Sequence, residues 1–257
     1  MDLPRTAALV PRLEWRDAAG STNSELVALA TADPDAWPAW SVLVTDTQTA
    51  GRGRLGRAWT APPGSSLAIS VLLRPRIPAE RYGWLSLTAG TAMARSLRAL
   101  GVDAAVKWPN DVLIGGRKVC GLLAEALPDG AGAVLGAGLN HRLAADELPV
   151  PTATSLEIEG GPTEPDALIA GWLEQLHPLV TALEQSAGDP LASGLRDAVV
   201  ASCGTIGRRV RVSLPDGSAV IGTATGIDED GRIEVAQDRI SGTTAIATGD
   251  VEHLRYE

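Results

Sequence analysis

Twelve residues, Gln48 to Trp59 (QTAGRGRLGRAW), put three arginines and three glycines into a 257-residue chain whose net charge is −9. Guanidinium forks bind phosphate and carboxylate through paired, charge-assisted hydrogen bonds. Interleaved glycines leave the backbone free to close around such a ligand. The stretch reads as an anion cradle. Gly51-Arg52-Gly53-Arg54-Leu55-Gly56 also matches the dinucleotide pattern G-x-G-x-x-G, but that pattern must open a helix. Here Pro62-Pro63-Gly64 follows too soon, and the chain has no G-x-x-x-x-G-K-[ST] phosphate loop. Trp59 suits two jobs equally, stacking on a purine or anchoring the loop in the core.

Lysine and asparagine are scarce enough to be informative. There are 20 arginines but only two lysines, Lys107 and Lys118, and only three asparagines, Asn23, Asn110 and Asn140. Arginine serves wherever a generic positive charge will do, so a retained lysine points to a need for a compact ammonium. Lys107-Trp108-Pro109-Asn110-Asp111 gathers a cation, an amide and a carboxylate around a stiffening proline. Alternation along a strand places Lys118 and Cys120 on one side, as if lining a pocket. Glycines inside Gly136-Ala137-Gly138-Leu139-Asn140 mark a close approach of a ligand or another backbone. Ser21-Thr22-Asn23 reads first as a helix N-cap, and a helix N-terminus also offers free N–H groups to a polar ligand.

The elements that must position these residues follow from hydropathy patterning. An irregular lead-in ends in a strand near 12–15, and a helix spans 23–32. Strands occupy 41–46 and 65–74, and an amphipathic helix covers 83–100 until Gly101 ends it. A strand at 104–108 leads to hairpins turning at Gly115-Gly116 and Pro128-Asp129-Gly130. Residues 141–165 look loop-like. Helices follow at 166–185, kinked at Pro178, and at 190–202. After Cys203 the chain changes to short β-like runs broken by Pro215-Asp216-Gly217 and Asp230-Gly231, a small antiparallel barrel. The domains are expected at 1–203 and 204–257.

Composition excludes several classes. An acidic chain lacks the footprint of a general nucleic-acid binder, and no apolar run is long enough to span a membrane. Cys120 and Cys203 lack metal-ligand spacing and fit buried thiols in a reducing cytoplasm.

Taken together, STN at Ser21–Asn23, Gln48 with GRGRLGR, KWPND at Lys107–Asp111, RKVCGLLAE at Arg117–Glu125 and GAGLN at Gly136–Asn140 resemble the biotin protein ligases in order and spacing. The C-terminal barrel resembles that family's end domain. The resemblance implies an α+β fold: a mixed β-sheet flanked by helices, of the class II synthetase and biotin ligase kind, plus a small C-terminal Src-homology-3-like β-barrel. It implies ATP-dependent activation of biotin as biotinyl-5′-AMP, then transfer to a lysine of the biotin carboxyl carrier protein of an acyl-CoA carboxylase. It also implies Mg²⁺ bridging the phosphates and no metal-ligating set on the protein. By the same resemblance, Ser21, Thr22, Asn23, Gln48, Gly51, Arg52, Gly53, Arg54, Lys118, Gly121 and Gly138 would bind biotin. Arg57, Trp59, Lys107, Asn110, Asp111 and Asn140 would serve the nucleotide, and Lys118 and Arg54 would be catalytic. Some members carry an N-terminal DNA-binding domain; only twenty residues precede Ser21, so no DNA binding is expected. A monomer or weak homodimer is expected. The alternatives are a lipoyl or octanoyl transferase of the related fold and a non-catalytic anion-binding module.

Overall fold

The computed structural model describes residues 1–237 and 242–254; the parts of the expected barrel at 238–241 and 255–257 lie outside the described residues. Helix α1 (Pro4–Leu9) precedes strand β1 (Leu13–Trp15), helix α2 (Thr22–Ala32), strand β2 (Val42–Thr45) and strand β3 (Ser66–Leu73). Helix α3 (Gly83–Ala99) then leads to strands β4 (Ala104–Lys107), β5 (Asp111–Ile114), β6 (Arg117–Ala126) and β7 (Ala133–Asn140). Helices α4 (Pro165–Gln185) and α5 (Leu195–Ser202) complete the larger domain.

These seven strands form one sheet in the order β1-β2-β3-β7-β6-β5-β4. Only the β1–β2 pair is parallel; every other pair is antiparallel, so the sheet is mixed. β3 is buried at every residue, as a central strand covered on both faces must be. Helices α3 and α4 pack with their apolar stripes on one face, burying Trp84, Met93 and Trp172. Helix α2 lies on the other face, over Leu43, Leu72 and Val134. The N-terminus of α2 therefore comes to rest above the middle of the sheet.

Strands β8 (Arg209–Ser213), β9 (Ala219–Ile227), β10 (Ile233–Ala236), β11 (Thr243–Ile246) and β12 (Asp250–His253) form a second, wholly antiparallel sheet in the order β11-β10-β9-β8-β12. Its docking is polar and specific. The indoles of Trp84 and Trp108 donate to the carbonyls of Glu229 and Gly231, each at 3.0 Å. The Trp108 amide donates to Thr205 Oγ1 at 3.2 Å, and that hydroxyl meets His253 Nε2 at 3.1 Å.

The structure changes two sequence expectations and adds burial to a third. The lead-in contains α1, because the Asp166 carboxylate at the start of α4 accepts the Arg5 and Thr6 amides and the Thr6 hydroxyl at 2.7–2.8 Å. That cap comes from about 160 residues away and has no local signature. Residues 141–165 are chiefly turns and loop as expected, apart from a single 3-10 turn at Ala145–Glu147, but part of the segment is buried. Leu143, Thr154, Ser155 and Leu156 are buried, and the segment hydrogen-bonds along β6 through Lys118 N to Thr152 O and Thr154 N to Lys118 O. Finally, Lys118 and Cys120 do not share a side. Val112 pairs with Cys120 while Leu113 pairs with Lys118, so Val119 bulges out of register. The bulge shifts the alternation by one residue and sends Cys120 into the core, where burial pushes its thiol pKa up.

Candidate active site

The arginine–glycine stretch folds back on itself as a narrow hairpin. Trp59 N donates to Gly51 O at 2.9 Å, Gly53 N donates to Arg57 O at 2.7 Å, and Arg52 faces Ala58 across the pair. Gly51 permits this closure: a Cβ there would stand 2.3 Å from Trp59 O. At the tip, Leu55 adopts φ +55° and is 62% exposed. The hairpin lies over β6 and β7 and walls a cavity of about 290 Å³.

That cavity collects the expected residues from five separated segments. Ser21, Thr22 and Asn23 come from the start of α2, Gln48, Arg52 to Arg54 and Arg57 to Trp59 from the hairpin, and Lys107 to Asp111 from the β4–β5 corner. Lys118 and Gly121 come from β6, and Gly136 and Gly138 from β7. Gly51 and Asn140 are not among the lining residues. Gly51 serves the hairpin closure, and Asn140 is turned away to donate to Thr154 O at 3.0 Å. The sequence reading missed Asp250 and Val251, which the second sheet adds as a wall. Their distance from the other motifs leaves no local signal. It also missed Ser70 and Glu125, which sit behind the lining.

Strand glycines make the floor. A Cβ on Gly138 would fall 2.5 Å from the Trp59 indole, and one on Gly121 would fall 3.0 Å from Lys118 Nζ and 3.1 Å from Trp59. Trp59 therefore lies half-buried against bare backbone, in the cavity wall and outside the apolar core. A Cβ on Gly136 would fall 2.4 Å from Asn23 Oδ1, so that glycine makes room for Asn23.

The α2 end of the cavity is a closed hydrogen-bond network. Gln48 Oε1 accepts the Thr22 amide at 2.9 Å. Ser70 Oγ lies 2.6 Å from Asn23 Oδ1 and 2.8 Å from Thr22 Oγ1. The amide oxygen can only accept, so the Ser70 hydrogen goes to Asn23, and the Thr22 hydroxyl lies within reach of both Ser70 Oγ and Gln48 Oε1, the latter at 3.3 Å. Asn23 Nδ2 donates to Leu123 O at 3.2 Å and to Glu125 Oε2 at 3.0 Å. Buried polar groups held this way are costly to disturb.

The opposite end carries the charge. Lys118 Nζ pairs with Asp111 Oδ1 at 2.6 Å and stands 5.3 Å from the Trp59 ring centroid. Arg54 donates to Asn110 Oδ1 at 3.2 Å and to Thr248 Oγ1 at 3.1 Å, two neutral acceptors. Burial lowers the Arg54 pKa most, with Arg57 adding to it and Asp250 and Asp111 opposing; a guanidinium so placed still keeps its proton. Arg57 pairs with Asp250. Five cationic side chains and two carboxylates line the cavity, a local excess of positive charge that draws anions into an acidic protein. Among the described residues no group of three or more His, Cys, Asp and Glu side chains could hold a metal ion.

A hydrogen-bonding end in which Arg52 is balanced by Glu125, joined to a cationic end, suits a molecule with a neutral polar head and an anionic tail. The cations suit a second anion brought up to that tail. Charge that builds as two anions join would be met by Lys118 and Arg54.

The family model described as biotin/lipoate A/B protein ligase matches residues 21–140, and that of the biotin protein ligase C-terminal domain matches residues 205–254. The chain is 40% identical over 243 residues to the biotin–[acetyl-CoA-carboxylase] ligase of Mycobacterium tuberculosis, covering 92% of this chain and 86% of that one. It is 33% identical over 149 residues to a bifunctional ligase/repressor of Bacillus spizizenii, covering 56% of this chain and 45% of that protein. In fold it is similar to the biotin protein ligase from Aquifex aeolicus solved with biotin and ATP, at a TM-score of 0.77 and 24% identity, with 96% and 100% of the two chains covered.

Proposed function

The chain belongs to the biotin protein ligase family, and on that premise we propose how its cavity works. The protein is an ATP-dependent biotin ligase. A carboxylate oxygen of biotin attacks the α-phosphorus of ATP, the bond to pyrophosphate breaks, and biotinyl-5′-AMP forms. The ε-amine of a lysine then attacks the acyl carbon and AMP leaves. The lysine belongs to the biotin carboxyl carrier domain of an acyl-CoA carboxylase.

The observation that carries this reading is the two-ended cavity. Biotin's uncharged head lies at the end built from Ser21, Thr22, Asn23, Gln48 and Arg52, and its carboxylate points to Lys118. Gly121 and Gly138 leave room for Lys118 and Trp59 to lie along the ligand, and Gly53 gives it access to backbone. Lys118 and Arg54 stabilise charge on the α-phosphate. Arg57, Lys107, Asn110 and Asp111 hold the nucleotide, with Trp59 closing over it. Asp111 and Asp250 are engaged by Lys118 and Arg57, so a Mg²⁺ ion accompanying ATP would depend chiefly on phosphate oxygens and would offset their charge.

We further propose a domain boundary between residues 203 and 204. No helix among the described residues is long and apolar enough to cross a membrane, and both cysteines are free and buried, which supports a cytoplasmic enzyme. The acidic net charge supports a role without DNA. The test is incubation with biotin, MgATP and a biotinyl carrier domain. Biotin-dependent ATP–pyrophosphate exchange and carrier labelling are expected. Absence of both, or labelling with lipoate in place of biotin, would overturn the assignment.

A further inference from the structure

Glu125 touches the two parts of the biotin end that have no covalent reason to move together. Its Oε2 accepts Asn23 Nδ2 at 3.0 Å, from the first turn of α2. Its Oε1 pairs with Arg52 NH1 at 2.9 Å, from the hairpin. Arg52 NH1 also donates to Ser24 Oγ at 2.9 Å, so helix, hairpin and β6 meet around one carboxylate. The Glu125 side chain is 20% exposed, against 54% for Arg52. Neutral glutamine in its place would lose the ion pair. It would also have one oxygen to offer where two donors converge.

The consequence follows from counting donors. Asn23 spends both amide hydrogens on Leu123 O and Glu125, and its oxygen already takes the Ser70 hydrogen. Asn23 therefore has no donor left and presents at most one acceptor to a ligand. Arg52 reaches the same end with its charge already balanced. The end is thereby electrically neutral, with its polar atoms fixed in direction, while the cations at the Lys118 end face an incoming acid. We infer that Glu125 is a positioning residue that fixes the amide of Asn23 and neutralises Arg52, so that this end selects an uncharged polar head and leaves the carboxylate to Lys118. This rests on the biotin ligase reading given above. Glu125 does not line the cavity, so it acts through Asn23 and Arg52.

The experiment is biotin-dependent ATP–pyrophosphate exchange with wild type, Glu125→Gln and Glu125→Asp, with thermal melting of each. If wild type shows no biotin-dependent exchange, the ligase reading falls and this inference with it. With wild type active, Glu125→Gln is expected to raise the KM for biotin about tenfold or more while kcat stays within about threefold and the KM for ATP within about twofold. Glu125→Asp keeps the charge but is one methylene too short to span both partners, and a rise in biotin KM of about threefold or more is expected, again without an ATP effect. Unchanged biotin KM in both variants would overturn the inference. So would equal increases in the KM for biotin and ATP accompanied by a matching loss of melting temperature, which would mark Glu125 as a general brace.

Discussion

Replacing Gly136 by alanine tests whether the floor of the cavity is shaped for the protein's own Asn23. The added methyl would stand 2.4 Å from Asn23 Oδ1 and 2.9 Å from its Cγ and Nδ2, so Asn23 must move. It is 4% exposed and held at both ends of its amide. Moving it breaks the neutral bonds to Ser70 and Leu123 O, each worth about 0.5–1.5 kcal/mol, and strains the bond to the charged Glu125. Alanine in a strand returns about 0.5–1 kcal/mol of backbone entropy. With about 1 kcal/mol for the strained bond to Glu125, the net expectation is a loss of about 1–3.5 kcal/mol, or a melting temperature lower by about 2–14 °C in a chain of this size. Gly138→Ala is the control. Its methyl would meet the Trp59 indole at 2.5 Å, but Trp59 is half-buried on a surface hairpin and can swing aside, so stability should change by less than about 1 kcal/mol. Differential scanning fluorimetry and urea titration of both variants give the comparison. Equal melting temperatures for Gly136→Ala and wild type, with unchanged biotin affinity, would refute the reasoning, because Asn23 would then have room the structure denies it.

Lys118→Arg keeps the charge but widens the head group against Gly121 and Trp59; adenylation is expected to fall by about 10²–10³ with a smaller loss of biotin binding, and unchanged exchange kinetics would remove Lys118 from the chemistry. Burial, then Lys107 and Arg208, bring the His253 pKa down to about 4 from 6.5. The unfolded chain therefore takes up this proton first, and stability should decline as pH falls from about 6.5 to about 4. A His253→Asn variant should show a flatter decline in urea melts over that window; parallel curves would exclude the effect. Asp166→Ala removes three hydrogen bonds to Arg5 and Thr6 and should cost about 1.5–3 kcal/mol at neutral pH. Burial alone would raise the Asp166 pKa, but the bonds from Thr6 and Arg5 outweigh it and the net shift is downward. Its stabilisation should accordingly persist at neutral pH and vanish as pH drops below the ordinary carboxylate range, where variant and wild-type stabilities converge; a constant gap down to the lowest pH would contradict this.

What was legible in the sequence was local. GRGRLGR, KWPND and the Gly115-Gly116 turn each express a chemical or conformational need within a few residues, and each lies where that need predicts. The strands were readable because β3 is apolar at nearly every position. The failures share a different cause. Asp166 caps a helix about 160 residues away, the bulge at Val119 cannot be seen by counting alternation, and Asp250 reaches Arg57 from another domain. Glu125 stood inside a quoted motif, but nothing in its neighbourhood reveals that Asn23 and Arg52 converge on it. The pair Lys118 and Cys120 shows the limit well: the period-two rule was sound, and one extra residue in β6 reversed its result.

The wall contributed by Asp250 and Val251 has a consequence for synthesis of the chain. Among the described residues the cavity lining runs from Ser21 to Val251, so the vessel is sealed only once the second sheet has been made and docked. A nascent or C-terminally clipped protein would have its cations and glycine floor in place but one side open to water. An acyl-adenylate formed there would escape or hydrolyse before meeting an acceptor lysine. Drawing the closing wall from the second sheet means that the ability to contain the reactive anhydride depends on a part of the chain made after the groups that would form it.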